Sequence, residues 1–245
     1  MKRIAFLDLA RGIAMIYVIL YHIMFDIRYI FELPVPELLR PGNAVFEAAH
    51  VIFLWVLFSV SGICLTLSRD PVRRGAVLYL AGFGITLVTE LFMPSELIVF
   101  GVLSCFGACM VIMGLCRRAI AKLPLWTAAV TFLLWFILRH FPQYIDLVFT
   151  RIQPELSGYG YLYPIGIIPE GFRSADFFPV IPYIFMFLTG CILSPLVTGK
   201  KLPALFYYTT NKVTAPIEFI GRHSLIIYLA HQPLIFGALM LILKG

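Results

Sequence analysis

The first apolar stretch of the chain carries ionisable residues at the spacing of one helical face. They are Asp8, Arg11, His22 and Asp26. At about 100° per residue, these positions fall within an arc of roughly 60°. Because ionisable groups inside apolar helices are costly, this stripe indicates a functional site. A polar network that only holds helices together is the alternative.

His22 and Asp26 have the spacing of a general base and its partner. Asp26 follows His22 by four residues, so its carboxylate would lie one helical turn from the imidazole. A carboxylate that hydrogen-bonds one ring nitrogen fixes the tautomer and raises the basicity of the other nitrogen. We therefore predict that His22 is a catalytic base and that Asp26 orients it.

The last apolar stretch repeats this polar pattern. Ser224, Tyr228 and His231 are spaced i, i+4, i+7 and share one helical face. Residues 221–224 open this helix, where Ser224 could cap it and the helix N-terminus would attract an anion such as phosphate. Pro233 loosens the backbone next to His231. His231 is a second catalytic candidate, and a packed polar contact is the alternative.

Three further ionisable residues lie at the ends of apolar stretches. Asp176 precedes the sixth stretch, where it either caps the following helix or orients a substrate. Glu47 and His50 have i, i+3 spacing at the start of the second stretch, and we interpret them as a solvated helix end.

Composition predicts the elements that carry these residues. Apolar residues make up 61% of the 245 residues and charged residues 13%, whereas a typical soluble domain has about 25% charged residues. We therefore expect one all-α transmembrane bundle over residues 1–245, and we interpret the basic start as a retained first span, not a cleaved signal peptide. The predicted spans are residues 5–30, 44–68, 73–92, 96–116, 124–140, 178–197 and 222–243.

Positive charge alternates between successive loops. Basic residues lie at the N-terminus and in the second, fourth and sixth loops: Lys2, Arg3, Arg11, Arg69, Arg73, Arg74, Arg117, Arg118, Lys122, Lys200, Lys201, Lys212 and Arg222. The other loops carry mainly acids: Glu32, Glu37, Glu90, Glu96, Asp146, Glu155, Glu170 and Asp176. The positive-inside rule then predicts an inside N-terminus and an outside C-terminus. Because the cations flank apolar runs, the net charge of +6 does not indicate nucleic-acid binding.

The five cysteines do not form a metal-binding pattern. They lie in or beside apolar runs, and none has zinc-type spacing to histidine. We interpret them as small buried side chains and expect no metal. The long outer loop, residues 141–177, is rich in aromatic residues and glycine, so it either binds a polar ligand such as a sugar or lies on the membrane interface.

Five stretches resemble the heparan-alpha-glucosaminide N-acetyltransferase catalytic-domain family, part of the wider group of transmembrane acyltransferases. In the family's order they are FLDLARGIAMIYVILYHIMFD, FLWVLFSVSGICLTLS, FGVLSCFGACMVI, DFFPVIPYIFMFLTG and GRHSLIIYLAHQPLI. Together they extend over essentially the whole chain, which is similar to short, bacterial-type members. One departure is Ser104, because the family often has histidine after FGVL; this puts activity or acceptor choice in doubt.

The resemblance implies acetyl transfer from acetyl-CoA, the co-substrate on the inner side, to a sugar hydroxyl or an amine on the outer side. It carries family motif positions onto His22, Asp176, Arg11, Arg222, His223, Ser224 and His231. The basic inner loops, including Arg117 and Arg118, would hold the CoA phosphates. His22 would act either as general base or as the carrier of a covalent acetyl group.

Other functions stay open at this level. The same stripe could serve a proton-coupled small-molecule transporter, although the chain has no visible internal repeat of the transporter type. It could also contact a partner helix in a structural or accessory subunit. For the enzyme, the expected partners are acetyl-CoA, an extracytoplasmic glycan or small amine or hydroxyl acceptor, and the lipid bilayer of a bacterial or archaeal plasma membrane. A homodimer is left open.

Overall fold

The computed structural model describes residues 4–139, 160–169, 171–198 and 210–244, and all regular structure in these ranges is helical. The α-helices are α1 Ala5–Phe25, α2 Ala44–Leu67, α3 Pro71–Phe92, α4 Val102–Leu115, α5 Arg117–Ile120, α6 Thr127–Leu138, α7 Val180–Thr198, α8 Thr214–Arg222 and α9 Ser224–Lys244. Asp146, Glu155, Glu170, Lys200 and Lys201, together with most of the 141–177 loop, lie outside the described residues.

Long apolar helices confirm a multi-pass α-helical membrane protein. The segments long and apolar enough to cross a membrane are Ala5–Ile30, Glu37–Leu67, Pro71–Phe92, Val180–Val197 and Ser224–Ile242. The helices α4 and α6 are apolar but shorter. Each of the seven predicted stretches therefore contains a helix, while membrane crossing by α4 and α6 stays a prediction, as does the orientation of the termini.

The fourth stretch begins later as a helix than its apolar run predicts. The run begins at residue 96, but α4 begins at Val102. The intervening backbone pairs instead with the segment before α7: Ala175 N donates to Leu97 O at 2.9 Å, and Phe178 N donates to Phe100 O at 3.1 Å. Hydrogen bonds to a distant segment thus replace the first turn of the predicted helix.

The chain forms two compact units. Unit 1 comprises residues 1–60 and 196–245, and unit 2 comprises residues 61–195. A single domain over residues 1–245 stays a prediction.

Unit 1 is organised around a backbone contact between α1 and α8. A Cβ on Gly12 would overlap the carbonyl oxygen of Ile217, and a Cβ on Gly221 would overlap the carbonyl oxygen of Asp8. One residue of each contact is a glycine, and such close approach is how small residues bring membrane helices together. Because Gly12 lies later in α1 while Ile217 lies earlier in α8, the two helices run antiparallel here.

Unit 2 has a similar contact between α3 and α4. A Cβ on Gly75 would lie 2.9 Å from the carbonyl oxygen of Gly107, and one on Gly82 would lie 2.6 Å from the backbone nitrogen of Ser104. Ser104 is 4% exposed. Its small side chain therefore occupies the place where the two helices are closest.

Three of the five cysteines behave as the sequence predicts. Cys105, Cys109 and Cys191 are buried. The thiols of Cys105 and Cys191 face backbone carbonyl oxygens of Pro179 and Gly62. Cys64 is half-buried and Cys116 is exposed.

We expect Ser104→His to destabilise the protein, because imidazole has no space between the α3 and α4 backbones. Overpacking of this kind costs about 1–3 kcal/mol. The measurement is the midpoint of thermal unfolding in detergent, with Ser104→Ala as the matched control that fits the same space. An unchanged midpoint in Ser104→His would contradict the contact described above.

Candidate functional site

His22 lies near the end of α1 with one ring nitrogen already occupied. Its Nδ1 is 2.8 Å from the carbonyl oxygen of Val18, one turn earlier. A carbonyl oxygen can only accept, so Nδ1 carries the proton in this bond and Nε2 carries the lone pair. The backbone of α1 therefore fixes the tautomer that a general base requires.

His231 of α9 packs directly against His22. The ring centroids are 4.8 Å apart and the planes are inclined by 82°, an edge-to-face contact. Nδ1 of His231 donates to the carbonyl oxygen of Tyr228 on its own helix. Its Nε2 is buried and has no hydrogen-bond partner among the described residues. Two imidazoles, each with Nδ1 turned to a backbone carbonyl oxygen of its own helix, thus lie side by side in unit 1.

Asp26 is fully buried at the point where α1 changes into a π-helical turn, Asp26–Ile30. Its two carboxylate oxygens lie 2.9 and 3.1 Å from the amide nitrogen of Gln232 on α9. The predicted hydrogen bond from the His22 ring to Asp26 is not formed by Nδ1, which donates to Val18 instead. Asp26 therefore orients the side chain of Gln232, a residue that the sequence analysis did not name as a site candidate.

Glu47 and His50, interpreted from the sequence as a solvated helix end, are half-buried and also contact this part of α1. Tyr21 Oη donates to Glu47 Oε1 at 3.2 Å, and the backbone N–H of Gly42 donates to the same oxygen at 2.9 Å. The Tyr21 and His50 rings are 4.1 Å apart, and His50 Nδ1 is buried without a partner in the described part of the chain. The i, i+4 spacing of Tyr17 and Tyr21 on α1 was the sequence signal that could have indicated a polar contact here.

Arg11 lies at the contact between α1 and α8. It is on the same face of α1 as His22 but closer to the start of the helix. Its Nη1 is 3.5 Å from the carbonyl oxygen of Gly221 and 3.8 Å from Asp8 Oδ1. The side chains of Arg11 and Asp8 are 18% and 13% exposed. Nearby on α8, Glu218 is buried and accepts a hydrogen bond from Thr210 Oγ1 at 2.9 Å. Sequence reasoning missed Glu218, because a single acid in a short polar helix carries no pattern.

The Gly-Arg-His-Ser motif, residues 221–224, forms the turn between α8 and α9 and does not open a single helix. Arg222 is the last residue of α8, and its Nε donates to the carbonyl oxygen of Glu218 at 3.3 Å. The carbonyl oxygen of His223 accepts the first α9 bond, from Ile227 N at 3.0 Å. His223 therefore holds the cap position that the sequence assigned to Ser224.

Asp176 caps α4, a helix that precedes it in the chain. Its Oδ2 accepts a hydrogen bond at 3.5 Å from the backbone N–H of Val102, the first residue of α4. Ser174 supports this geometry: its Oγ accepts from Val99 N at 2.9 Å. A carboxylate at a helix N-terminus also stabilises the helix dipole.

Arginines surround a cleft at the other end of α4. A cavity of about 370 Å³ is lined by Arg69, Pro71, Val72, Gly114, Leu115, Arg117 and Arg118. Arg117 Nη1 is 3.4 Å from the carbonyl oxygen of Ser68, which holds one guanidinium in place. Among the described residues that line this cavity, none is acidic. The second and fourth loops, both predicted to be basic and inside, therefore meet at one end of unit 2.

The predicted site residues thus fall into separate groups. His22, Asp26 and His231 lie together in unit 1, while Arg11, Arg222, His223 and Ser224 lie around the α1–α8 contact and the α8–α9 turn. Asp176 and the arginine pair, Arg117 and Arg118, lie at opposite ends of α4 in unit 2. The described ranges contain no group of three or more His, Cys, Asp or Glu side chains able to hold a metal ion.

Comparison with protein families gives one match. The family model described as heparan-alpha-glucosaminide N-acetyltransferase, catalytic, matches residues 3–233, nearly the whole chain. Comparisons with curated proteins and with solved structures give no match.

The geometry predicts that Asp176 acts through its helix cap. Asp176→Ala should lower the stability by about 0.5–2 kcal/mol, the usual cost of a lost cap. Asp176→Asn keeps an oxygen acceptor and should lie much closer to the unmodified protein in its thermal midpoint. If the asparagine variant keeps its stability but loses catalytic turnover per folded molecule, the carboxylate has a chemical role and the cap assignment is incomplete.

Proposed function

Because the chain belongs to the heparan-alpha-glucosaminide N-acetyltransferase catalytic family, a family of membrane transferases, we propose that it moves an acetyl group from acetyl-CoA to an acceptor across a membrane. The donor would bind on the inner side, and the acceptor would be a sugar hydroxyl or an amine on the outer side. The observation that carries this proposal is His22, whose Nδ1 proton is held by Val18 O so that Nε2 is available as a base.

The proposed reaction is a direct acyl transfer. Nε2 of His22 removes the proton from the acceptor hydroxyl or amine as the acceptor attacks the thioester carbonyl carbon. The C–S bond breaks, and the CoA sulfur leaves and takes up the proton from His22. In the covalent variant, Nε2 itself attacks the thioester carbon, the C–S bond breaks and CoA leaves as the thiolate. The acceptor then displaces His22 from the acetyl group, and its proton passes to His231 and on to the CoA thiolate. His231, in ring contact with His22, is the second base in either scheme.

The arginine cleft of unit 2 is the proposed site for the CoA phosphates. Arg69, Arg117 and Arg118 line one cavity, and none of its described lining residues is acidic. Guanidinium groups bind phosphate oxygens in a fork geometry, and charge-assisted bonds of this type are strong. A second set of candidates lies in unit 1: Arg11, Arg222, His223 and Ser224.

The positive-inside rule supports the direction of transfer. The cleft gathers the cations of two predicted inner loops at one end of unit 2. The opposite end carries the contact of Leu97 with Ala175 and the acids Glu90, Glu96 and Asp176. With the arginine end inside, seven spans would place the N-terminus inside and the C-terminus outside.

We expect His22→Ala to lose acetyl transfer by about 10²–10⁴-fold, the usual contribution of a general base. The assay follows a labelled acetyl group from acetyl-CoA into crude envelope material. The control is Thr189→Val, which removes a buried hydrogen bond to Thr131 of 2.7 Å in unit 2 and should leave turnover per folded molecule intact. A His22→Ala variant that folds, binds acetyl-CoA and stays active would contradict the assignment of His22 as the base. Label trapped on His22 in the absence of acceptor would favour the covalent variant.

We expect Arg117→Ala to weaken acetyl-CoA binding by about tenfold or more, since a hydrogen bond to a charged group contributes about 1.5–3 kcal/mol. Calorimetry on the full-length chain in detergent measures the affinity. The matched control is Arg40→Ala, because the Arg40–Glu37 ion pair is exposed and such pairs contribute little. Equal affinities in the two variants would show that the cleft does not bind CoA. Arg11→Ala would then test the second set of candidate CoA-binding residues, in unit 1.

A further inference from the structure

Unit 1 contains buried hydrogen-bonding atoms that nothing in the described part of the chain satisfies. They are His231 Nε2, Gln232 Oε1 and His50 Nδ1. Buried polar atoms almost always have a partner, so each exception requires an explanation. A ligand that supplies the missing partners is one such explanation, and the geometry around Gln232 allows its chemistry to be worked out.

The orientation of the Gln232 amide is set by Asp26. The NH₂ end of the amide faces Asp26, whose carboxylate oxygens accept its hydrogen bonds. Both carboxylate oxygens lie within 3.1 Å of Gln232 Nε2. The oxygen end, Oε1, must therefore point away from Asp26, and there it is buried without a donor. By holding the NH₂ end of the amide, Asp26 thus directs the acceptor atom Oε1 of Gln232 toward the surrounding space.

His231 presents an acceptor for a parallel reason. Its Nδ1 proton is committed to the carbonyl oxygen of Tyr228, so only the lone pair of Nε2 is left. His231 and Gln232 are consecutive in α9, and they meet His22 and Asp26, which are one turn apart on α1. The two residues of α9 that carry these acceptor atoms therefore contact the face of α1 that carries His22, the proposed catalytic base.

We propose that Gln232 is a substrate-positioning residue, whose Oε1 and the neighbouring His231 Nε2 accept hydrogen bonds from two donor groups of the acetyl acceptor. Acceptor-only groups require donors, so the ligand class is a diol or an amino alcohol. This inference rests on the proposed acetyl transfer and adds the residue that selects the acceptor. It assigns Asp26 a positioning role that acts through Gln232.

The test measures ligand-induced thermal stabilisation of the full-length protein in detergent. The probes are D-glucose, D-glucosamine and glycerol, and the matched compound without donors is 1,2-dimethoxyethane. We expect a saturable rise in the unfolding midpoint with at least one donor-bearing probe and none with the ether. Gln232→Met removes the acceptor oxygen and should weaken that probe about tenfold.

Two further variants separate a positioning role from a structural one. Gln232→Glu keeps an oxygen acceptor, since a protonated carboxyl can donate to Asp26, and should bind the probe within about threefold of the unmodified chain. Asp26→Asn removes the fixed amide orientation while keeping the volume, and should weaken the probe even if Gln232→Met fails to fold. Acetyl-CoA affinity should be unchanged in all three variants.

The proposal is overturned if no probe gives saturable stabilisation, if Gln232→Met binds the probe normally, or if Gln232→Glu loses as much affinity as Gln232→Met. Failure of the underlying transferase function has a different signature. In that case the unmodified protein would bind the probe but neither bind acetyl-CoA nor transfer label from it.

Discussion

A carboxylate buried among apolar helices needs hydrogen-bond donors, and this requirement governs the region around α1. Asp26 is fully buried, and Gln232 supplies the donor for both of its oxygens. An unpaired charge in such surroundings would be too costly to keep. The bond consequently fixes how α1 and α9 align, and that alignment brings His22 into contact with His231. The chemistry proposed for the histidines thus depends on a contact that involves neither of them.

Helical periodicity was enough to predict the polar stripe, because α1 is regular from Ala5 to Phe25 and its residues keep one angular spacing. The structure places Arg11, His22 and Asp26 of that stripe against α8 and α9. Periodicity could not identify Gln232, because an amide carries no charge and its role appears only when the opposite helix is known. It also could not show that the proton of His22 Nδ1 is donated to a backbone oxygen.

Contacts between distant segments explain the other differences between prediction and structure. One of the two interpretations of Asp176 made it a cap of the helix that follows it, but the N–H that it caps lies 74 residues earlier. The start of α4 was predicted too early for the same reason, since residues 97–100 pair with the segment before α7. Local patterns predict elements well. The partner of a polar side chain at the end of an element depends on tertiary packing.

The glycine contact between α3 and α4 has a mechanical consequence. Helices usually slide past one another by small rotations of the side chains between them. At Gly75, Gly82 and Gly107 the two backbones approach closely, with only the small Ser104 side chain and the Cβ of Met110 beside them, so few rotamer changes are available to absorb a shear. We therefore expect the two helices to move as one body, so that a displacement at the arginine end of α4 also shifts the end capped by Asp176.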